Sequence, residues 1–156
     1  MKKSFLFVFA FNLFAVAMYA QTGQPDALKA NAAFTGAKAI KKTYNAIYQL
    51  DNNEPKVIEK AIRNINNALN DPRLAGKLKI ELIAFSGGTD AYLKGSKYEN
   101  DLKALVERGV IVAQCNNTLH ERKISRDQLY DFIAVVPSGN GELILRQAEG
   151  WAVVKP

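Results

Sequence analysis

The chain contains one cysteine, Cys115, and one histidine, His120. A single cysteine excludes an internal disulfide. One cysteine with one histidine makes a poor metal-ligand set, so no metal is expected, and no cofactor either. Nucleotide signatures are also missing. There is no Walker-type loop, no dinucleotide fingerprint, no nucleophile elbow and no pair of carboxylates in a recognisable catalytic frame. Past residue 20, only Lys41-Lys42 and Arg122-Lys123 are paired basic residues, and no basic stripe carries interleaved aromatics. No nucleic-acid partner is expected from such a distribution.

Long apolar runs are scarce as well. The one that matters is Phe5 to Met18, broken only by Asn12. It is shorter than the roughly 20 residues of a membrane-spanning helix. Lys2 and Lys3 precede it, and Ala15, Ala17 and Ala20 supply small residues at its end. That is the layout of a secretory signal peptide over residues 1–20, cleaved after Ala20. The expectation is a periplasmic or secreted protein with no stable membrane span once the signal is removed. No cysteine lies near the cleavage point, so a lipid-modified N-terminus is not implied. Losing Lys2 and Lys3 leaves 19 basic against 15 acidic residues, a net charge of +4 on a mature chain of 136 residues. A domain of this size can bury roughly 68–70% of its unfolded surface. In an oxidising compartment a lone thiol is unusual: Cys115 is buried, reactive, or paired between chains.

Residues 21–42 are rich in Ala, Gly, Gln and Lys. They read as a flexible lead-in with a short helix over Asp26–Phe34. From residue 43 to 156, strand and helix patterns alternate in one domain. Tyr44–Leu50, Leu78–Phe85, Val110–Cys115, Ile133–Val136 and Trp151–Val154 have strand character. Between the first two, Val57, Ile58, Ala61, Ile62, Ile65, Ala68 and Leu69 follow helical spacing. Asn53 is placed to cap that helix and Pro55 to occupy its first turn. A second helix carries Tyr98, Leu102, Leu105 and Val106 and closes on Gly109 as a left-handed cap. Asn116, Asn117 and Thr118 open a third, where Thr118 and Glu121 have capping-box spacing, repeated at Ser125 and Gln128. Glu142–Glu149 forms a fourth, ended by Gly150. The order β-α-β-α-β-α-β-α-β predicts a three-layer α/β/α fold with a mostly parallel five-stranded sheet, its strands mostly apolar throughout.

In such sheets ligands bind beyond the carboxyl ends of the strands. Three segments fall there: Ser86-Gly87-Gly88, Cys115-Asn116-Asn117-Thr118, and Pro137-Ser138-Gly139-Asn140-Gly141. Cys115 ends a strand immediately before a helix, where unpaired N–H groups and the positive end of the macrodipole favour a thiolate. The pattern alone fits a small buried residue finishing a strand somewhat better. His120 is either a partner for Cys115 or a solvated residue near a helix start. The glycines at 139 and 141 either bare backbone N–H groups toward an anion or supply an ordinary strand-to-helix turn. The Ser86-Gly87-Gly88 turn is ambiguous in the same way.

The run Gly109 to Leu119, with Arg122-Lys123-Ile124 beyond it, resembles the DsrE/DsrF-like family. So does Val135 to Glu142, followed by Gln147, Gly150-Trp151 and Pro156. The resemblance spans Tyr44 to Pro156. It implies a compact α/β/α domain assembling as a homo-oligomer, a trimer or a hexamer. It also implies sulfur relayed as a persulfide on a strand-end cysteine, here Cys115, with Pro137–Gly141 as a neighbouring wall. Partners would then be a sulfur donor or acceptor protein, or a small anionic ligand. The family's best-understood members are cytoplasmic, and an export signal departs from that pattern. The alternative function is a non-catalytic ligand-binding or assembly module at the same strand ends, with the residues named above from 86 to 88, 116 to 118 and 137 to 141 forming its pocket.

Overall fold

The computed structural model describes residues 24–156. The signal-like segment of residues 1–20 therefore lies outside the described residues. The chain divides into two compact units, the second being Ala39–Pro156. In the first, helix α1 (Gln24–Ala32) has Asp26 in its first turn and Lys29 in its last, a charge order that suits the helix dipole. Among the described residues, no helix is long and apolar enough to cross a membrane.

The second unit holds five strands: β1 (Tyr44–Leu50), β2 (Leu78–Ala84), β3 (Ile111–Cys115), β4 (Ala134–Val136) and β5 (Ala152–Val154). Helices α2 (Pro55–Leu69), α3 (Glu99–Glu107), α4 (Asn116–Arg122) and α5 (Gly139–Ala148) connect them. All pairings are parallel, in the order β4-β3-β2-β1-β5. The expected sheet is thus present, and it is wholly parallel. Five parallel strands leave no tight hairpin to pin the register. It is fixed instead by which residues each face must bury.

The path of the chain decides where the helices go. From β1 to β4 each strand is laid beside the previous one in the same direction. The chain then returns across the sheet to place β5 beside β1. Right-handed crossovers put helices on one face while the chain steps one way and on the other face when it steps back. Two cores result. The larger gathers Ala46, Tyr48, Leu50, Ile80, Leu82 and Val112 from the sheet with Ile58, Ala61, Ile62 and Ile65 of α2 and Leu102 and Leu105 of α3. The smaller contains Ile47, Ile83 and Ala113, covered by Phe85, Val136, Leu143 and Trp151. Residues i and i+2 of each strand share a face, which is why Tyr48 and Ile47 lie in different cores.

Several local expectations require correction. Asn53 does not cap α2. The cap position is Glu54, whose N–H donates to Asn52 Oδ1 at 2.7 Å, while the Asn53 side chain donates to Asp90. Pro55 does stand in the first turn. Ser86-Gly87-Gly88 is not a simple turn but the start of a 3₁₀ segment, Ser86–Tyr92. A Cβ on Gly88 would stand 2.1 Å from the Leu50 carbonyl oxygen, so this glycine is required by close packing against the end of β1. Thr118 does not cap a helix, since Cys115 itself holds the cap position of α4. The Ser125–Gln128 capping box is present. α5 begins three residues before Glu142, because Ser138 caps it through the N–H of Gly141 at 3.1 Å. The strands are mostly apolar, with Glu81 and Gln114 as buried polar residues within them. Glu81 is 1% exposed and meets Arg146 of α5 at 2.8 Å, and Arg146 stacks over Trp151 at 4.3 Å.

Candidate functional site

The crossover pattern creates one topological switch point at the carboxyl end of the sheet, between β3 and β4. The connection after β3 runs to one face and the connection after β4 runs to the other. Open α/β sheets bind ligands where neighbouring connections diverge in this way. Cys115, the last residue of β3, lies opposite Val136, the last of β4. The chain then continues from Cys115 into α4 and from Val136 through Pro137 and Ser138 into α5.

Cys115 is 5% exposed. Burial pushes its thiol pKa up, but hydrogen bonding opposes this. The backbone N–H groups of Gly139, Thr118 and Asn117 and the Thr118 hydroxyl stabilise the thiolate, and the net direction is downward. Those donors come from two segments separated in sequence, the start of α4 and the start of α5. α4 is only seven residues long. Its macrodipole is correspondingly small, and the individual donors matter more.

Gly139 can approach the sulfur because it lacks a side chain. A Cβ there would lie 3.0 Å from Phe85 Cδ1 and 3.2 Å from Cys115 Cβ. Ser138 orients this turn through its cap, and Gly141 supplies the N–H that the cap accepts. Thr118 is buried, and its Oγ1 accepts the Ser86 N–H at 3.1 Å. Ser86 has φ +48°, left-handed for a residue with a side chain.

The structure therefore brings Asn117, Thr118 and Gly139 to Cys115, with Ser138 and Gly141 shaping the turn and Ser86 bonded to Thr118. Gly87 and Gly88 face the end of β1 instead: a Cβ on Gly87 would stand 3.0 Å from the Asn53 backbone nitrogen. Asn116 is half-buried and Pro137 exposed. His120 is exposed on α4 and makes no bond to the thiol. With Asn116, Lys123, Ser125, Arg126 and Val135 it lines a separate open pocket of about 680 Å³, to which neither Cys115 nor its donors contribute. Arg122, Asp90 and the left-handed Ser86 were missed in the sequence. Arg122 donates to Ser86 O at 2.8 Å and pairs with Asp90 at 2.6 Å, contacts across 36 and 32 residues that local patterns do not reveal.

The sequence profile of the DsrE/DsrF-like family matches residues 18–156. The chain belongs to the DsrE/DsrF-like family. A solved structure agrees: a protein of unknown function, MTH1491, from Methanobacterium thermoautotrophicum, is 31% identical with a TM-score of 0.69. The match covers 72% of this chain and 99% of that one. No curated protein matches the chain. Membership of this family connects the fold to sulfur-relay-like proteins.

Proposed function

We propose that this DsrE/DsrF-like protein handles sulfur as a persulfide on Cys115. The observation that carries this reading is the close approach of Gly139, at the start of α5, to Cys115, at the start of α4, where the β3 and β4 connections diverge; donors from both helix starts favour the thiolate. A thiolate is the nucleophilic form of cysteine, and donors of this kind hold it at lower pH. The thiolate attacks the outer sulfur of a donor persulfide, R–S–SH. A bond forms between Cys115 Sγ and that sulfur, the donor's S–S bond breaks, and the donor leaves as R–S⁻. The proton stays on the transferred sulfur. An acceptor thiolate reverses the step: it takes the outer sulfur and releases Cys115 as thiolate.

The partners are a thiol-bearing donor and acceptor, met outside the cytoplasm if residues 1–20 act as an export signal. Assembly of copies belongs to the same proposal. Ile144 and Leu145 on α5, 67% and 62% exposed, supply apolar surface for it. Mass spectrometry after mixing with a small persulfide donor tests the chemistry. The Cys115 peptide should gain one sulfur atom, removable by reductant. A folded protein that gains none, under conditions where the unfolded chain does, would remove the proposal. Light scattering reads the assembly, and a monomer at high concentration would remove that part alone.

A further inference from the structure

Ser86 adopts its left-handed conformation although two glycines follow it, so something holds it there. Residues with side chains rarely rest at such φ values unless their surroundings fix them. Here both of its backbone polar groups are engaged. Its carbonyl accepts from Arg122 Nη1 at 2.8 Å, and its N–H donates to Thr118 Oγ1 at 3.1 Å. The other arm of Arg122 donates to Asp90 Oδ1 at 2.6 Å, and Asn53 donates to Asp90 Oδ2 at 3.0 Å. Arg122 thus spans the segment from Ser86 to Asp90 and ties both ends to α4.

The consequence falls on Thr118. A hydroxyl has one proton to donate and lone pairs to accept with. With the Ser86 amide on an acceptor side of Thr118 Oγ1, the hydroxyl proton is left to donate, and the Thr118 side chain favours the Cys115 thiolate. Helical threonines otherwise turn the hydroxyl toward a carbonyl three or four residues back, which here belong to Cys115 and Gln114.

From this geometry we infer that Arg122 is a positioning residue for the Cys115 thiolate. It fixes Ser86, Ser86 fixes the Thr118 hydroxyl, and the hydroxyl donates to the sulfur. This rests on the thiolate reading given above, and the two can fail separately.

The test is the pH profile of Cys115 alkylation by iodoacetamide in the full chain. Arg122→Ala should slow alkylation about tenfold at neutral pH by shifting the profile upward, while the plateau rate at high pH is retained. Asp90→Asn, which weakens the same clamp and keeps its shape, should shift the profile in the same direction by less. In a Thr118→Val background, Arg122→Ala should add no further slowing, because the hydroxyl it acts through is gone. Multiplying effects in the double variant, or a wild-type profile in Arg122→Ala and Asp90→Asn alike, would overturn the positioning role. A wild-type profile no lower than that of the unfolded chain would overturn the thiolate reading with it.

Discussion

Gly139→Ala separates packing from chemistry at one position. Within a helix, alanine is favoured over glycine by about 0.5–1 kcal/mol, so propensity alone would stabilise α5. The new Cβ, however, meets Phe85 Cδ1 at 3.0 Å and Cys115 Cβ at 3.2 Å. Overpacking of this kind costs about 1–3 kcal/mol. The two terms partly offset, and the net loss of stability should lie between about 0 and 2.5 kcal/mol. The crowding is relieved by moving the first turn of α5 outward, which draws the Gly139 N–H away from the sulfur. A hydrogen bond to an ionised group contributes about 1.5–3 kcal/mol. At a tenfold change per 1.4 kcal/mol, the thiolate population below its pKa should fall about 10- to 150-fold. Iodoacetamide alkylation at slightly acidic pH reads that population, and a thermal melt reads the fold. Asn140→Ala, on the exposed neighbour, should leave both unchanged. A folded Gly139→Ala protein that alkylates as fast as wild type would refute the role given to the α5 amide.

Three further outcomes are expected. Gly88→Ala should destabilise by more than 3 kcal/mol or prevent folding, since its Cβ would overlap the Leu50 carbonyl at 2.1 Å; chemical denaturation checks this. Gly95→Ala, where φ is +88° and nothing lies within 4 Å, should cost only about 1–2 kcal/mol of backbone strain in the same assay. Glu81 has its carboxyl pKa raised, first by burial and then by Glu142, against the opposing charge of Arg146. The folded state therefore binds its proton more tightly than the unfolded chain, and stability falls as pH rises through and above the ordinary carboxylate range. Glu81→Gln should remove that part of the pH dependence, and a wild-type slope retained in the variant would refute the assignment.

Elements whose signals are local were legible in the sequence. The α2 stripe of Ile58, Ala61, Ile62 and Ile65 is buried as its spacing requires. Gly109 and Gly150 follow α3 and α5 with φ of +85° and +84°. The strand end at Cys115 was legible because an apolar β run gives way to Asn-Asn-Thr. Helix starts were read less well. Two weak helix formers, Gly139 and Gly141, hide the first turn of α5, and Asn53 looks like a cap because asparagine commonly is one. The Arg146–Glu81 pair and the Arg122–Ser86–Thr118 chain join residues far apart in sequence, so neither has a periodic signature. Ser86 at positive φ could not be foreseen beside two glycines better suited to it. The sequence places Cys115 at the correct strand end and offers donors from the α4 start and the Pro137–Gly141 turn, without deciding whether that turn reaches the sulfur. In the structure both segments contribute.

The stabilised thiolate is tested most directly by following Cys115 alkylation against pH in the native chain and in the same chain unfolded in denaturant. With hydrogen bonding outweighing burial, the native midpoint should lie below the unfolded one, and Thr118→Val should move it upward. A native midpoint at or above the unfolded value would contradict the thiolate at the β3–β4 switch point and leave Cys115 a buried structural residue.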